Sequence, residues 1–137
     1  MTGSGTALVV GASLAGLHAA RTLRLEGHDG PIVVVDADAD APYDKPPLSK
    51  QLLTEDWDRE RIVLAAATED LGLDLRVGVR ATSLDLTART VGLDGSDALG
   101  FDQLVLATGA SARRLPGTEG IAGVHVVRTL GDSLALR

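Results

Sequence analysis

The chain has no cysteine among its 137 residues. That excludes a disulfide, a thiolate metal site and a redox dithiol together. Aromatics are nearly missing, with one Trp, one Tyr and one Phe, so there is no platform on which bases would stack. Basic residues are in the minority, 13 against 19 acidic, and the formal charge of −6 disfavours a polyanion. No nucleic-acid partner is therefore expected. No apolar run approaches the roughly 18 residues a membrane span needs, and no membrane partner is expected. The opening Met1-Thr2-Gly3-Ser4-Gly5 has no basic segment leading into an apolar one, so no secretion signal is visible and the cytoplasm is the expected compartment. The three histidines, His18, His28 and His125, form no pair at metal-ligand spacing, and no metal site is expected.

What is present is a globular chain, 45% apolar with 16 glycines, of a length suited to one domain or a piece of one. Its organising stretch is Thr6-Ala7-Leu8-Val9-Val10-Gly11-Ala12-Ser13-Leu14-Ala15-Gly16. The apolar run 7–10 suits a parallel strand buried on both faces. Gly11 permits a sharp reversal, and Gly16 permits close packing of a following helix on that strand. The amides at such a helix start converge on one point and suit a pyrophosphate. Ser13 stands where the G-x-G-x-x-G fingerprint has its middle glycine; its hydroxyl offers a further donor to a phosphate oxygen. Apolar residues at 14, 17, 20, 23 and 25 predict an amphipathic helix ended by Gly27. A second strand is expected at 32–35. Asp36 follows, 20 positions past Gly16, where an acid commonly meets an adenosine ribose. Asp38 and Asp40 lie close behind, so the pattern leaves open which acid has that role.

The stretch 38–48 has no periodicity and reads equally as a structured loop or a loose connection. A short helix is expected at 49–53, a helix at 65–71 ending at Gly72, and a strand at 73–77. Strands 80–86 and 90–93 read as antiparallel neighbours, 93–97 as a turn and 101–106 as a strand leading into Ala107-Thr108-Gly109. Residues 124–127 read as a last strand and 129–137 as a helix beginning. The expected class is α/β: a Rossmann-type parallel sheet with flanking helices and a small antiparallel β excursion.

Three stretches, in order and spacing, resemble one family. Gly11-Ala12-Ser13-Leu14-Ala15-Gly16, then Pro42-Tyr43-Asp44-Lys45-Pro46-Pro47-Leu48-Ser49-Lys50, then Leu106-Ala107-Thr108-Gly109-Ala110 resemble the FAD-binding part of ferredoxin and rubredoxin reductases. Val127-Arg128-Thr129-Leu130-Gly131-Asp132 is similar to that family's later segment. The resemblance implies hydride transfer from NADH or NADPH to FAD, then single electrons passed to a ferredoxin-like iron–sulfur carrier. It implies that Gly11, Ser13, Leu14, Ala15 and Gly16 hold the FAD pyrophosphate, and that Asp38, or else Asp36, holds the ribose. The first of two adjacent acidic positions in the family is Ala37 here. Lys45 corresponds to a basic residue near the FAD phosphates and Lys50 to a lysine reaching the flavin ring, where a fixed cation favours arriving electron density. Ala81 corresponds to a backbone contact with the adenine, Ala107, Thr108 and Gly109 to a passage close under the cofactor, and Arg128 to a flavin-contacting arginine. The absence of cysteine agrees with a branch whose electrons leave FAD directly, so no catalytic acid, base or nucleophile is nominated.

One glycine fingerprint is present and a second, for the nicotinamide nucleotide, is not. Gly131-Asp132 lies too soon after Gly109 to enclose another ~120-residue βαβ domain, so Asp132 reads as the charge of a helix N-terminus. The expectation is an incomplete FAD domain, the first part of a larger reductase. The rival class is a non-catalytic dinucleotide-binding module that senses a nucleotide or binds a partner.

Overall fold

A computed structural model describes residues 3–54, 56–64 and 68–137. The chain forms two compact units, residues 1–42 with 64–108, and residues 43–63 with 109–137.

The first unit is built on β1 (Ala7–Val10), every residue of which is buried. Beside it run β2 (Ile32–Asp36), β3 (Leu73–Val77) and β7 (Gln103–Leu106), giving a four-stranded sheet of order β3-β2-β1-β7. Every pairing is parallel, with Leu8 opposite both Val33 and Leu104. Continuous apolar sequence in β1 and β2 follows from this geometry, because each of these inner strands is covered on both faces. Ala7 and Val9 join Ile32, Val34 and Ala20 of helix α1 (Leu14–Leu25) on one face. Leu8 and Val10 join Val33, Val35, Val91 and Leu93 on the other. That second face is covered by the antiparallel sheet of β4 (Ala81–Asp85), β5 (Thr90–Leu93) and β6 (Ser96–Gly100), in that order.

The parallel sheet, α1 and the antiparallel pair β4–β5 lie where the sequence pattern puts them. Three expectations about strands and turns need correction. Residues 93–97 are not simply a turn: Asp94-Gly95 alone reverses the chain, with Gly95 at φ +68°, and β6 begins at once. A two-residue Asp-Gly hairpin explains this, and pairing with β5 overrides the poor strand propensity of Ser-Asp-Ala-Leu-Gly. The strand expected at 101–106 starts only at Gln103. Residues 124–127 form no strand, because no neighbouring strand pairs with them among the described residues. The helix expected at 65–71 falls partly on 65–67, outside the described residues.

The second unit has its own small core of Tyr43, Leu48, Leu52, Ile62 and Leu130, with Trp57 and Val127 packed against it. Tyr43 and Val63 form a β-bridge. The short helix expected at 49–53 lies a turn earlier, as a 3-10 helix over Pro46–Ser49. Two consecutive prolines preset the backbone there and suit the first positions of a helical turn. Bonded turns then run to Thr54. A second 3-10 turn covers Glu60–Ile62, and α2 spans Leu130–Leu136.

Candidate functional site

The turn after β1 is closed by backbone contacts that leave no room for side chains. Gly11 sits at φ +110°, and a Cβ there would collide with the Ala107 carbonyl oxygen. A Cβ on Gly16 would collide with the Gly11 carbonyl oxygen. Gly11 is therefore fixed by conformation and by contact, and Gly16 by contact alone. The Ala107 amide donates to the Val10 carbonyl at 2.8 Å, so Ala107 and Thr108 lie against the turn.

Helix α1 begins there with its donors open. Its first intrahelical bond is from the Leu17 amide to the Ser13 carbonyl at 3.0 Å. The amides of Leu14, Ala15 and Gly16 meet no acceptor among the described residues. Ser13 takes the N-cap position without a side-chain capping bond, and no acidic residue occupies the first turn. Leu14 is 45% exposed, so the helix start is accessible. An anion is what such a terminus lacks, and a dinucleotide pyrophosphate fits this donor set.

Asp36 has another function in the turn. One carboxylate oxygen accepts from the Ala12 amide at 2.6 Å and the other from the Asp38 amide at 2.8 Å. It holds the glycine turn onto the end of β2. Asp38 lies half-buried beside it and accepts from the Asp40 amide at 3.2 Å. The Asp38 carbonyl accepts from the Gly78 amide, and the Asp36 carbonyl from Val79, both at 2.8 Å. These bonds bring the 78–81 segment, with Ala81 at the head of β4, alongside the two acids.

In the second unit stand the remaining candidates. Lys45 and Lys50 are the chain's only lysines. Lys50 is exposed at the end of the Pro46–Ser49 turn, and its carbonyl accepts from Leu53 and Thr54. The Lys45 ammonium lies 3.5 Å from the Tyr43 hydroxyl and 4.6 Å from the centre of its ring. Gly109, at φ +67°, has the Arg128 guanidinium so close that a Cβ would lie 2.8 Å from it. Gly109 and Arg128 are thus brought together.

Arg128 is placed by the capping box that starts α2. The Asp132 carboxylate accepts from the backbone amides of Arg128 at 3.0 Å and Thr129 at 2.8 Å, and the Asp132 amide donates to Thr129 Oγ1 at 3.1 Å. The Thr129 amide bond, aided by its hydroxyl, the Arg128 amide and the charge of Arg114, holds the Asp132 carboxyl below its ordinary value against an opposing effect of burial. Asp132 is a helix-terminal charge, as its spacing predicts.

Three placements were not legible in sequence. Tyr43, 4% exposed, accepts from the Leu130 amide at 3.0 Å, and the buried Ser133 hydroxyl donates to the Leu48 carbonyl at 2.7 Å. Arg24, on α1, donates to the carbonyls of Leu71, His28 and Gly30 at 2.6–2.8 Å. His28 is buried, and His125 lies outside any strand among the described residues. A lone Tyr following Pro42 is the one cue to the first of these placements; side chain to backbone bonds across 85 or more positions leave no local signature.

A parallel sheet with a glycine turn at the carboxyl end of its inner strand and an open helix start defines an α/β protein of the dinucleotide-binding, Rossmann type. More specifically, the chain belongs to the pyridine nucleotide-disulphide oxidoreductase family, whose model matches residues 5–137. It is 38% identical over 134 residues to the biphenyl dioxygenase system ferredoxin–NAD(+) reductase component of Paraburkholderia xenovorans (strain LB400), covering 96% of this chain and 33% of that protein. It is 40% identical over 134 residues to the anthranilate 1,2-dioxygenase system ferredoxin–NAD(+) reductase component of Burkholderia cepacia, covering 95% and 33%. Among solved structures it is similar to a chain of the covalent putidaredoxin reductase–putidaredoxin complex, with a TM-score of 0.89 at 32% identity over 98% of this chain and 34% of that one. The chain spans about a third of the length of the curated relatives it matches. No helix among the described residues is long and apolar enough to cross a membrane.

Proposed function

We propose that the chain is the FAD-binding part of an NAD(P)H-dependent reductase that passes electrons through FAD to a ferredoxin-like iron–sulfur protein. The observation that carries this reading is the open donor set at Leu14, Ala15 and Gly16, held at a turn that only glycine can make. The similarity to two ferredoxin–NAD(+) reductase components gives the chemistry its class. Residues 1–137 form the N-terminal portion of an FAD-binding domain, and the nicotinamide-binding and C-terminal domains lie outside them; the 137 residues alone do not turn over. The chain has no cysteine to favour an oxidising compartment, and the proposed location is the cytoplasm.

Each residue has a stated task. The amides of Leu14, Ala15 and Gly16, with the Ser13 hydroxyl, receive the diphosphate. Asp36 keeps the turn in shape, which leaves Asp38 as the acid for the adenosine ribose. Ala81 offers its backbone to the adenine. Lys45 meets phosphate charge, while Ala107, Thr108 and Gly109 give the cofactor close access to the backbone. Lys50 and Arg128 are fixed cations at the flavin. Bound FAD supplies hydride acceptance from nicotinamide and one-electron release to the carrier.

The test is the colour and redox behaviour of the holoprotein purified with its nicotinamide-binding domain present. It is expected to be yellow, to bleach on addition of NADH or NADPH, and to recover colour when an oxidised ferredoxin-type carrier is added. A colourless protein that binds NAD(H) alone overturns the proposal in favour of a nucleotide-sensing module.

A further inference from the structure

Lys45 is not a free surface cation. Its ammonium is held by the Tyr43 hydroxyl at 3.5 Å and by the Tyr43 ring face at 4.6 Å from the centroid. An ammonium over an aromatic face is attracted by the ring quadrupole, more strongly when partly desolvated. Lys45 is half-buried and Tyr43 almost wholly so. The same hydroxyl accepts the Leu130 amide, the first of α2, at 3.0 Å. Leu130 follows Arg128 by two positions, and the intervening Thr129 belongs to the capping box that also fixes the Arg128 amide. One buried phenol therefore ties the lysine of the Lys45-Pro46-Pro47 segment to the helix start that carries Arg128, across 87 positions of sequence.

We propose that Tyr43 is a positioning residue for FAD: by fixing Lys45 and the start of α2 with one hydroxyl, it sets where the Lys45 charge is presented to the cofactor. A long lysine side chain loses substantial rotamer freedom when it is fixed. Tyr43 imposes that loss before FAD arrives, so the ordering no longer weakens binding. Replacing tyrosine by phenylalanine keeps the ring and its packing and removes only the hydroxyl. This inference rests on the assignment of Lys45 to the FAD phosphates made above.

The experiment is a double-mutant cycle in the holoprotein, reading FAD affinity and the visible flavin spectrum of Y43F, K45M and the pair, with S133A as control. K45M is expected to weaken FAD binding about tenfold and Y43F three- to tenfold. In the pair, Y43F adds less than twofold to K45M, because the tyrosine acts through the lysine. S133A lowers Tm and leaves FAD affinity within twofold of wild type. If Y43F lowers Tm but leaves affinity and spectrum unchanged, or if the two substitutions add in full, Tyr43 is only a structural latch and the inference is overturned. If K45M itself leaves FAD affinity unchanged while the protein still binds FAD, the Lys45 assignment fails, and that failure is separately visible. Should Y43F not fold, the wild-type protein before addition of FAD decides by amine labelling. Lys45 is expected to react at least threefold more slowly than Lys50, and equal rates overturn the proposal.

Discussion

Asp36 shows how one residue can carry the signal for a site while serving its scaffold. Its position after the second strand is where a ribose-binding acid is expected, yet both carboxylate oxygens are engaged by the amides of Ala12 and Asp38. Charge-assisted bonds to backbone amides are shorter and stronger than neutral ones. D36A leaves two amides at the turn without these acceptors and is expected to cost about 1–3 kcal/mol, read as a lower urea midpoint. FAD affinity should fall with it. D36N, which keeps one acceptor oxygen, should fall between D36A and wild type; a D36A protein of unchanged stability would remove Asp36 from the turn. The glycines at 11 and 16 were legible from sequence because their requirement is local, a positive φ and a close approach. The hold of Asp36 on the turn was not, because it depends on a carboxylate reaching an amide 24 positions away.

At the scale of elements, the strands buried on two faces announced themselves and the rest did so unevenly. β1 and β2 are continuous apolar runs because α1 and the antiparallel sheet cover opposite faces. β6 gave no such signal, since its pairing with β5 and not its composition makes it a strand. Residues 124–127 are the converse, β-prone sequence with no strand to pair with. Helix α2, of 7 residues, is too short to persist on propensity alone and depends on its cap. Asp132 is central to that cap, and D132A is expected to cost roughly 1 kcal/mol. The pH dependence has a definite sign. The folded-state carboxyl titrates below its ordinary value of 3.8, so its contribution is complete above that pH and is lost as pH falls through the folded value. The difference in stability between wild type and D132A should therefore be constant from pH 7 to about 5 and close below about pH 4. A difference that instead grew on acidification would show that the carboxylate is not the stabilising form.

For the whole molecule, the two units differ in how much core each holds. Among the described residues, the first has two clusters of six buried residues, one on each face of its parallel sheet. The second has one cluster of five, built largely from turns and a short helix. Segments with few buried apolar contacts open at lower free energy than central strands. The proposed cationic contacts to FAD, Lys45, Lys50 and Arg128, all lie in the smaller unit. Hydrogen exchange should therefore separate the two units. Without FAD, the amides of Asp44, Ile62 and Leu130 are expected to exchange at least tenfold faster than those of Leu8, Val9 and Val34. FAD at a hundred times its Kd adds about 2.7 kcal/mol to any opening that destroys the site. That corresponds to roughly hundredfold slower exchange wherever opening of the smaller unit releases the cofactor. If FAD slows exchange in β1 and β2 alone and leaves 43–63 and 109–137 unchanged, the cations of the smaller unit do not hold the cofactor, and only the glycine turn would remain of the proposed site.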